Sequence, residues 1–148
     1  MEETETTFTY TIKATESDTI YDTGGADTIK FGQGISKQDL IVKRSERVNA
    51  DGRKEYSDIK ISFKNSPNDS ITIKDIIASN KVTEENKIET FEFENGEKLS
   101  FEDIKKLSLV GSNESDTLIG YVHFHNIMSG NEGNDKIGRA HVWTPVTL

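Results

Sequence analysis

A nine-residue beat at both ends of the chain constrains its fold more than any other feature of the sequence. Asp18-Thr19-Ile20 recurs as Asp27-Thr28-Ile29. Near the other end, Asp116-Thr117-Leu118 is followed nine residues after Leu118 by Ile127, and then by Gly130-Asn131-Glu132-Gly133-Asn134-Asp135-Lys136-Ile137. That last stretch fits the nonapeptide G-G-x-G-x-D-x-U-x, where U is a large apolar residue, with Asn131 in place of the second Gly. Weaker copies at 22–30 and 111–119 keep Gly25, Asp27 and Ile29 in the first and Gly111, Asp116 and Leu118 in the second. Units this short cannot bury an apolar face alone, so they fold by stacking on one another. The small residues let the backbone turn tightly, the Asp adds a carboxylate to the turn, and the apolar residue two places later drops into the interior. Ile20, Ile29, Leu118, Ile127 and Ile137 are therefore the expected interior positions.

The composition agrees with a sheet. The chain of 148 residues holds 16 isoleucines against six leucines, and β-branched side chains favour the pleated conformation. Its length suits a single domain at most. It has no cysteine, which excludes disulfides, thiol nucleophiles and thiolate metal sites. No apolar run of about 18 residues exists to span a membrane, and the first 14 residues lack the basic start and apolar stretch of a secretory signal. A net charge of −8 repels phosphate backbones, so the chain is expected to bind cations and not nucleic acid.

Oxygen donors gathered in flexible turns suit Ca²⁺, a hard cation that takes six to eight oxygens. At this point the segments resemble the RTX repeats of haemolysin-type calcium-binding proteins, which form a parallel β-roll. In that architecture two nonapeptides make one turn, and a calcium ion sits between loops two repeats apart. The resemblance implies metal ligation through Asp18, Gly25, Asp27, Gly32, Gly34, Gly111, Asn113, Asp116, Gly130, Glu132, Gly133 and Asp135, by carboxylates and turn carbonyls. It sets the Asp18 loop over the degenerate loop Phe31-Gly32-Gln33-Gly34, and leaves the Asp27 loop needing a neighbour from elsewhere in the chain.

Between the repeat blocks the pattern changes. Leu40-Ile41-Val42 opens a strand, and Ile59, Ile61 and Phe63 alternate with polar residues as in a strand with one buried face. Asn49-Ala50-Asp51-Gly52 supplies the turn between them, and Ser66-Pro67-Asn68-Asp69 a turn before Ile71-Thr72-Ile73. Ile88, Phe91 and Phe93 lead to the hairpin signal Asn95-Gly96, with Leu99 and Phe101 on the return. Ser100 followed by Asp103 marks the start of a short helix through Leu107. This run resembles the module that lies between RTX blocks and is named for its association with haemolysin-type calcium-binding proteins. The matching strings are Phe31-Gly32-Gln33-Gly34-Ile35 with Asp39-Leu40, Ser70-Ile71-Thr72-Ile73-Lys74-Asp75, and Ile88-Glu89-Thr90-Phe91-Glu92-Phe93.

Other readings compete at single positions. Asp22-Thr23-Gly24 is the string of retroviral-type aspartic proteases, but that chemistry needs two carboxylates sharing a proton, and one copy leaves Asp18 without a role. His123 and His125 share a face if extended, yet no third ligand lies nearby in sequence. Neither proline follows an aspartate, so self-cleavage at an Asp-Pro bond is not supported. The acidic residues across 84–103, such as Glu84, Glu85 and Glu92, read as a solvated strand face. The last residues, 137–148, carry no acidic side chain and the only Trp, and they resemble the conceptual translation of a sequencing adapter; they are read as a non-native tail on a fragment.

The expected architecture is all-β: parallel β-roll segments at 1–36 and 109–136 flanking a strand-rich insert at 37–108 with one short helix. The resemblance implies structural Ca²⁺ binding in a large secreted bacterial protein of toxin or adhesin type, extracellular and exported by a type I system, with no catalytic role of its own. An interaction or adhesion module without tight metal binding, facing a host or cell-surface partner, is the alternative.

Overall fold

The isoleucine-rich runs become strands. The computed structural model describes residues 7–10, 17–21, 24–48, 50–78, 81–82, 87–111, 115–121 and 126–138. In chain order these form β1 (Thr7–Tyr10), β2 (Ser17–Ile20), β3 (Thr28–Phe31), a 3₁₀ turn (Lys37–Asp39), β4 (Leu40–Val48), β5 (Lys54–Phe63) and β6 (Ser66–Ile73). They continue with β7 (Ile77–Ala78), β8 (Lys81–Val82), β9 (Thr90–Glu92), β10 (Lys98–Ser100), the helix α1 (Phe101–Leu107), β11 (Thr117–Ile119) and β12 (Lys136–Gly138). The chain is thus all-β with one short α-helix. Among the described residues no helix is long and apolar enough to cross a membrane.

Two four-stranded sheets carry the core. One has the order β1-β3-β9-β10, with β1, β3 and β9 parallel and β10 returning antiparallel; the other has the order β2-β6-β5-β4, with β2 parallel to β6 and the rest antiparallel. The chain therefore runs from the first sheet to the second and back again between β1 and β3. Ile29 on β3 is fully buried, and Ile20 on β2 packs half-buried against the same core. In β5, Ile59, Ile61 and Phe63 are fully buried while Lys60 is exposed, the alternation of a strand with one face inward. Phe31 stacks on Phe93 at 5.0 Å between ring centroids and meets Phe63 edge-on at 6.0 Å, tying β3 to the second sheet. β11 and β12 form a separate parallel pair, and β7 and β8 a short antiparallel one.

The turn expected at Ser66-Pro67-Asn68-Asp69 lies earlier. Lys64 and Asn65 make the connection, and β6 already starts at Ser66. The register then jumps: Phe63 pairs with Ser66 but Ser62 pairs with Ser70, so residues 67–69 bulge out of the β5–β6 ladder. A bulge accepts a proline that cannot donate to the ladder, which is how a turn-like string comes to lie within a strand.

The hairpin at Asn95-Gly96 forms as its sequence predicts, with Gly96 at φ +90° and the amide of Phe93 donating to Glu97 O. The helix also starts where expected. The Ser100 hydroxyl oxygen accepts the Asp103 amide at 3.2 Å, and the Asp103 carboxylate accepts the Ser100 amide at 2.9 Å. These bonds hold the Asp103 carboxyl below its ordinary range, the backbone bond from Ser100 being the largest cause. Replacing Ser100 by Ala should cost about 1 kcal/mol, read as a lower urea midpoint with an unchanged slope.

Helix α1 buries Phe101 and Ile104, and its far end leads to a polar clasp. The Tyr121 hydroxyl lies 2.6 Å from Ser108 Oγ, which itself donates to Lys105 O. Asn126, fully buried, closes both backbone groups of Tyr121 by accepting from its N–H at 2.8 Å and donating to its carbonyl at 2.9 Å. Arg44, on the edge strand β4, holds the same segment to the sheet. Its guanidinium donates to Tyr56 O at 2.8 Å and to Ile119 O at 3.1 Å, and lies 5.2 Å from the centre of the Tyr121 ring.

Candidate metal centre

Each aspartate of the repeat that precedes a described strand acquires its neighbours through parallel pairing. Thr117 pairs with Lys136, which sets Asp116 and Asp135 side by side at the entrances of β11 and β12. The Asp135 carboxylate accepts the Asp116 amide at 2.8 Å, and Asp116 O accepts the Lys136 amide at 2.8 Å. Gly111, five residues before Asp116, also meets the chain before Asp135. The Gly111 amide donates to Ser129 O at 2.6 Å, and the Asn131 side-chain amide donates to Gly111 O at 2.6 Å. Asp116 is nearly buried, with its carboxylate 2 % exposed.

The glycines at the loop starts leave room for the neighbouring backbone and for the carboxylates. A Cβ on Gly111 would lie 2.6 Å from Gly130 O and 2.8 Å from Asp116 Oδ2, and one on Gly130 would collide with the Asp135 carboxylate. Both aspartates therefore fold back over the glycine of their own loop, and oxygens of two loops converge there. Gly133 at φ +103° and Asn131 at φ +57° supply the left-handed backbone that these turns use. Glu132 is exposed on the same loop.

The first repeat block shows the same bonding with a partner far along the chain. Thr28 pairs with Thr90, so Asp27 and Glu89 stand side by side at the entrances of β3 and β9. The Glu89 carboxylate accepts the Asp27 amide at 2.7 Å, and Asp27 O accepts the amides of Glu89 and Thr90 at 3.1 Å. Asp27 is fully buried. Glu89 is thus the neighbour that the Asp27 loop needed, 62 residues away. A signal for it exists: Glu89-Thr90-Phe91 repeats Asp27-Thr28-Ile29, with the Thr kept and the other two replaced by residues of similar character.

The remaining predicted positions are dispersed. Asp18 lies exposed on β2, where it pairs with Ile71, and does not face Gly32 or Gly34 in the described pairings. Gly25 turns at φ +93° just before Asp27. Gly34, at φ +91°, borders a surface cavity with Asp39, Glu94 and Asn95, beside Gly32 in sequence. Neither Ile127 nor Ile137 is an interior residue: they are 61 % and 41 % exposed, and Met128 is buried in place of Ile127. The parallel bridge between Val110 and Ser129 sets Met128 opposite the buried Leu109, and the coil from Asp116 to Asp135 accordingly takes 19 residues where two nonapeptides would take one fewer. Asn113, Asp22, Thr23, Glu84, Glu85, His123, His125 and 139–148 lie outside the described residues.

Among the described residues no group of three or more histidine, aspartate or glutamate side chains gathers. An ion at these loops would rely on paired carboxylates together with turn carbonyls, an all-oxygen donor set that fits a hard cation such as Ca²⁺. Sequence reasoning missed one further participant. The Lys43 ammonium, on β4, lies 2.8 Å from Asp116 Oδ1 across 73 residues of chain, and nothing local in the sequence marks it.

No curated protein and no solved structure matches the chain. Residues 58–103, which contribute Glu89, match the family described as the haemolysin-type calcium binding protein related domain. That match bears out the haemolysin-type resemblance read from the repeats and the insert, and Ca²⁺ is the ion it implies.

Proposed function

We propose that this chain is a structural, non-catalytic Ca²⁺-binding repeat region of a large secreted RTX-type protein. The observation that carries the reading is the stacking of Gly111 and Asp116 on the loop 130–135, in which the Asp135 carboxylate caps the Asp116 amide and both carboxylates fold over glycine. The parallel pairs β1–β3, β3–β9, β2–β6 and β11–β12 support coils of a β-roll at both ends, and the pairing of β2 and β3 with strands of the 37–108 segment ties the first roll to the insert.

Asp116 and Asp135, with the carbonyls of their loops, would hold the ion in the second roll, and Asp27 with Glu89 would serve the first. Closely set carboxylates repel one another, and a bound cation removes that repulsion, so binding energy becomes folding energy. Sites of the extracellular kind, with Kd of about 10⁻⁴ to 10⁻³ M, leave the coils that depend on the ion loose at cytosolic calcium and ordered outside the cell.

The test is circular dichroism titrated with Ca²⁺. The β signal should rise at millimolar Ca²⁺ and not with Mg²⁺, which demands a smaller octahedral site, and Asp135→Ala should blunt the response. A spectrum unchanged by Ca²⁺ would mean a solenoid that stacks without metal.

A further inference from the structure

We infer that the Lys43 ammonium is a built-in cation that starts the C-terminal stack in place of a metal ion, so that this stack docks on the β4 sheet without Ca²⁺. A loop in a stack has two faces. Gly111 and Asp116 receive the loop 130–135 on one of them, through the Asp135–Asp116 and Asn131–Gly111 bonds. One coil earlier, 19 residues before Asp116, the chain is at Glu97. That carboxylate belongs to the β9–β10 hairpin and is engaged by Lys37 at 2.8 Å.

Lys43 brings a positive charge to Asp116. Its Nζ reaches Asp116 Oδ1 at 2.8 Å from a half-exposed position, while the carboxylate it meets is buried. Burying an ionised carboxylate without a compensating charge is strongly unfavourable, so the ammonium does for this loop what a bridging ion does between two loops. The neighbouring Arg44 fixes the strand that carries Lys43 against Ile119 and Gly120 of the same segment, through bonds of 3.1 and 3.4 Å. The ammonium and a metal ion then compete for one carboxylate, and Lys43 sets where in the chain calcium dependence begins. This inference rests on the repeat-loop reading above but not on whether the wild-type chain binds Ca²⁺.

Two measurements on the whole chain test it. In the wild type with chelator, the amides of Asp116 and Lys136 should be protected from hydrogen exchange; exchange at unprotected rates overturns the inference even if the wild type responds to Ca²⁺ by circular dichroism. In Lys43→Met, protection should be lost in chelator and restored by millimolar Ca²⁺, with a rise in Tm on adding Ca²⁺ that exceeds the wild-type rise by about 4 °C or more. Lys43→Arg should behave as the wild type. Equal Ca²⁺ responses in Lys43→Met and wild type overturn the inference, as does a Lys43→Met chain that stays unfolded in Ca²⁺, because a metal ion is then no substitute for the ammonium. A wild type indifferent to Ca²⁺ whose Lys43→Met variant gains a response sinks the proposed function and sustains this inference.

Discussion

Phe91→Ala should remove about 3 to 5 kcal/mol of stability, the largest loss expected of any single substitution in this chain. Phe91 is fully buried on β9, the strand that joins the parallel and antiparallel halves of the first sheet; it pairs with Ile29 on one side and Leu99 on the other. Truncation there forfeits the transfer energy of the ring and leaves a cavity that two backbone ladders prevent from collapsing. A domain of this size holds only about 5 to 15 kcal/mol in total, so the variant should be partly unfolded at ambient temperature. Urea denaturation followed by circular dichroism gives the answer: an unfolding free energy within about 1 kcal/mol of the wild type would show that β9 is not central to the core. The loss should also disturb the Asp27–Glu89 bonds, since Glu89 immediately precedes the strand.

Arg44→Met is the second large effect, about 2 to 4 kcal/mol, and its origin is polar. Methionine keeps most of the alkyl stem, so the change isolates the guanidinium. That group is largely buried, and burial lowers its affinity for the proton, although arginine stays charged at any ordinary pH. Without it, the carbonyls of Tyr56 and Ile119 lose donors at 2.8 and 3.1 Å, and the Tyr121 ring loses a cation 5.2 Å from its centre. Acceptors left buried without those donors each cost about 1 to 3 kcal/mol, more than the bond itself contributes when formed. Arg44→Lys should recover less than half of the loss, because a single ammonium cannot reach both β5 and the 119–120 backbone. Full recovery in the lysine variant, measured by the same urea titration, would assign the effect to charge alone. The Tyr121 phenol offers a second readout: burial raises its pKa, and loosening of this segment should bring it back toward the ordinary value of about 10.

Both sites show how far the sequence reaches. Phe91 was legible as a core residue, because Ile88, Phe91 and Phe93 precede a hairpin signal and each is buried. The role of Arg44 was not, because its partners lie 12 and 75 residues away and no local pattern marks a buried guanidinium. The bulge in β6 is intermediate. The string Ser66-Pro67-Asn68-Asp69 carries turn chemistry and does break the ladder, but the turn itself moved to Lys64 and Asn65 once Ser66 paired with Phe63. Ile127 and Met128 differ by one position, and in a strand one position is the whole difference between core and solvent. Both are apolar, so only the Val110–Ser129 bridge chose between them.

By itself the sequence determined everything governed by a few consecutive residues: strands from β-branched alternation, the Asn95-Gly96 hairpin, the Ser100 cap, and the phase that sets Asp27, Asp116 and Asp135 immediately before strands with Ile29 and Leu118 inward. The tertiary structure decided which strands became neighbours. A period of two says which face of a strand is buried but not which strand lies beside it, and a parallel pair can close over almost any length of chain because closure entropy grows only slowly with loop length. That is why Asp27 found Glu89 and Asp116 found Lys43, partners whose identity depended on the packing of whole sheets.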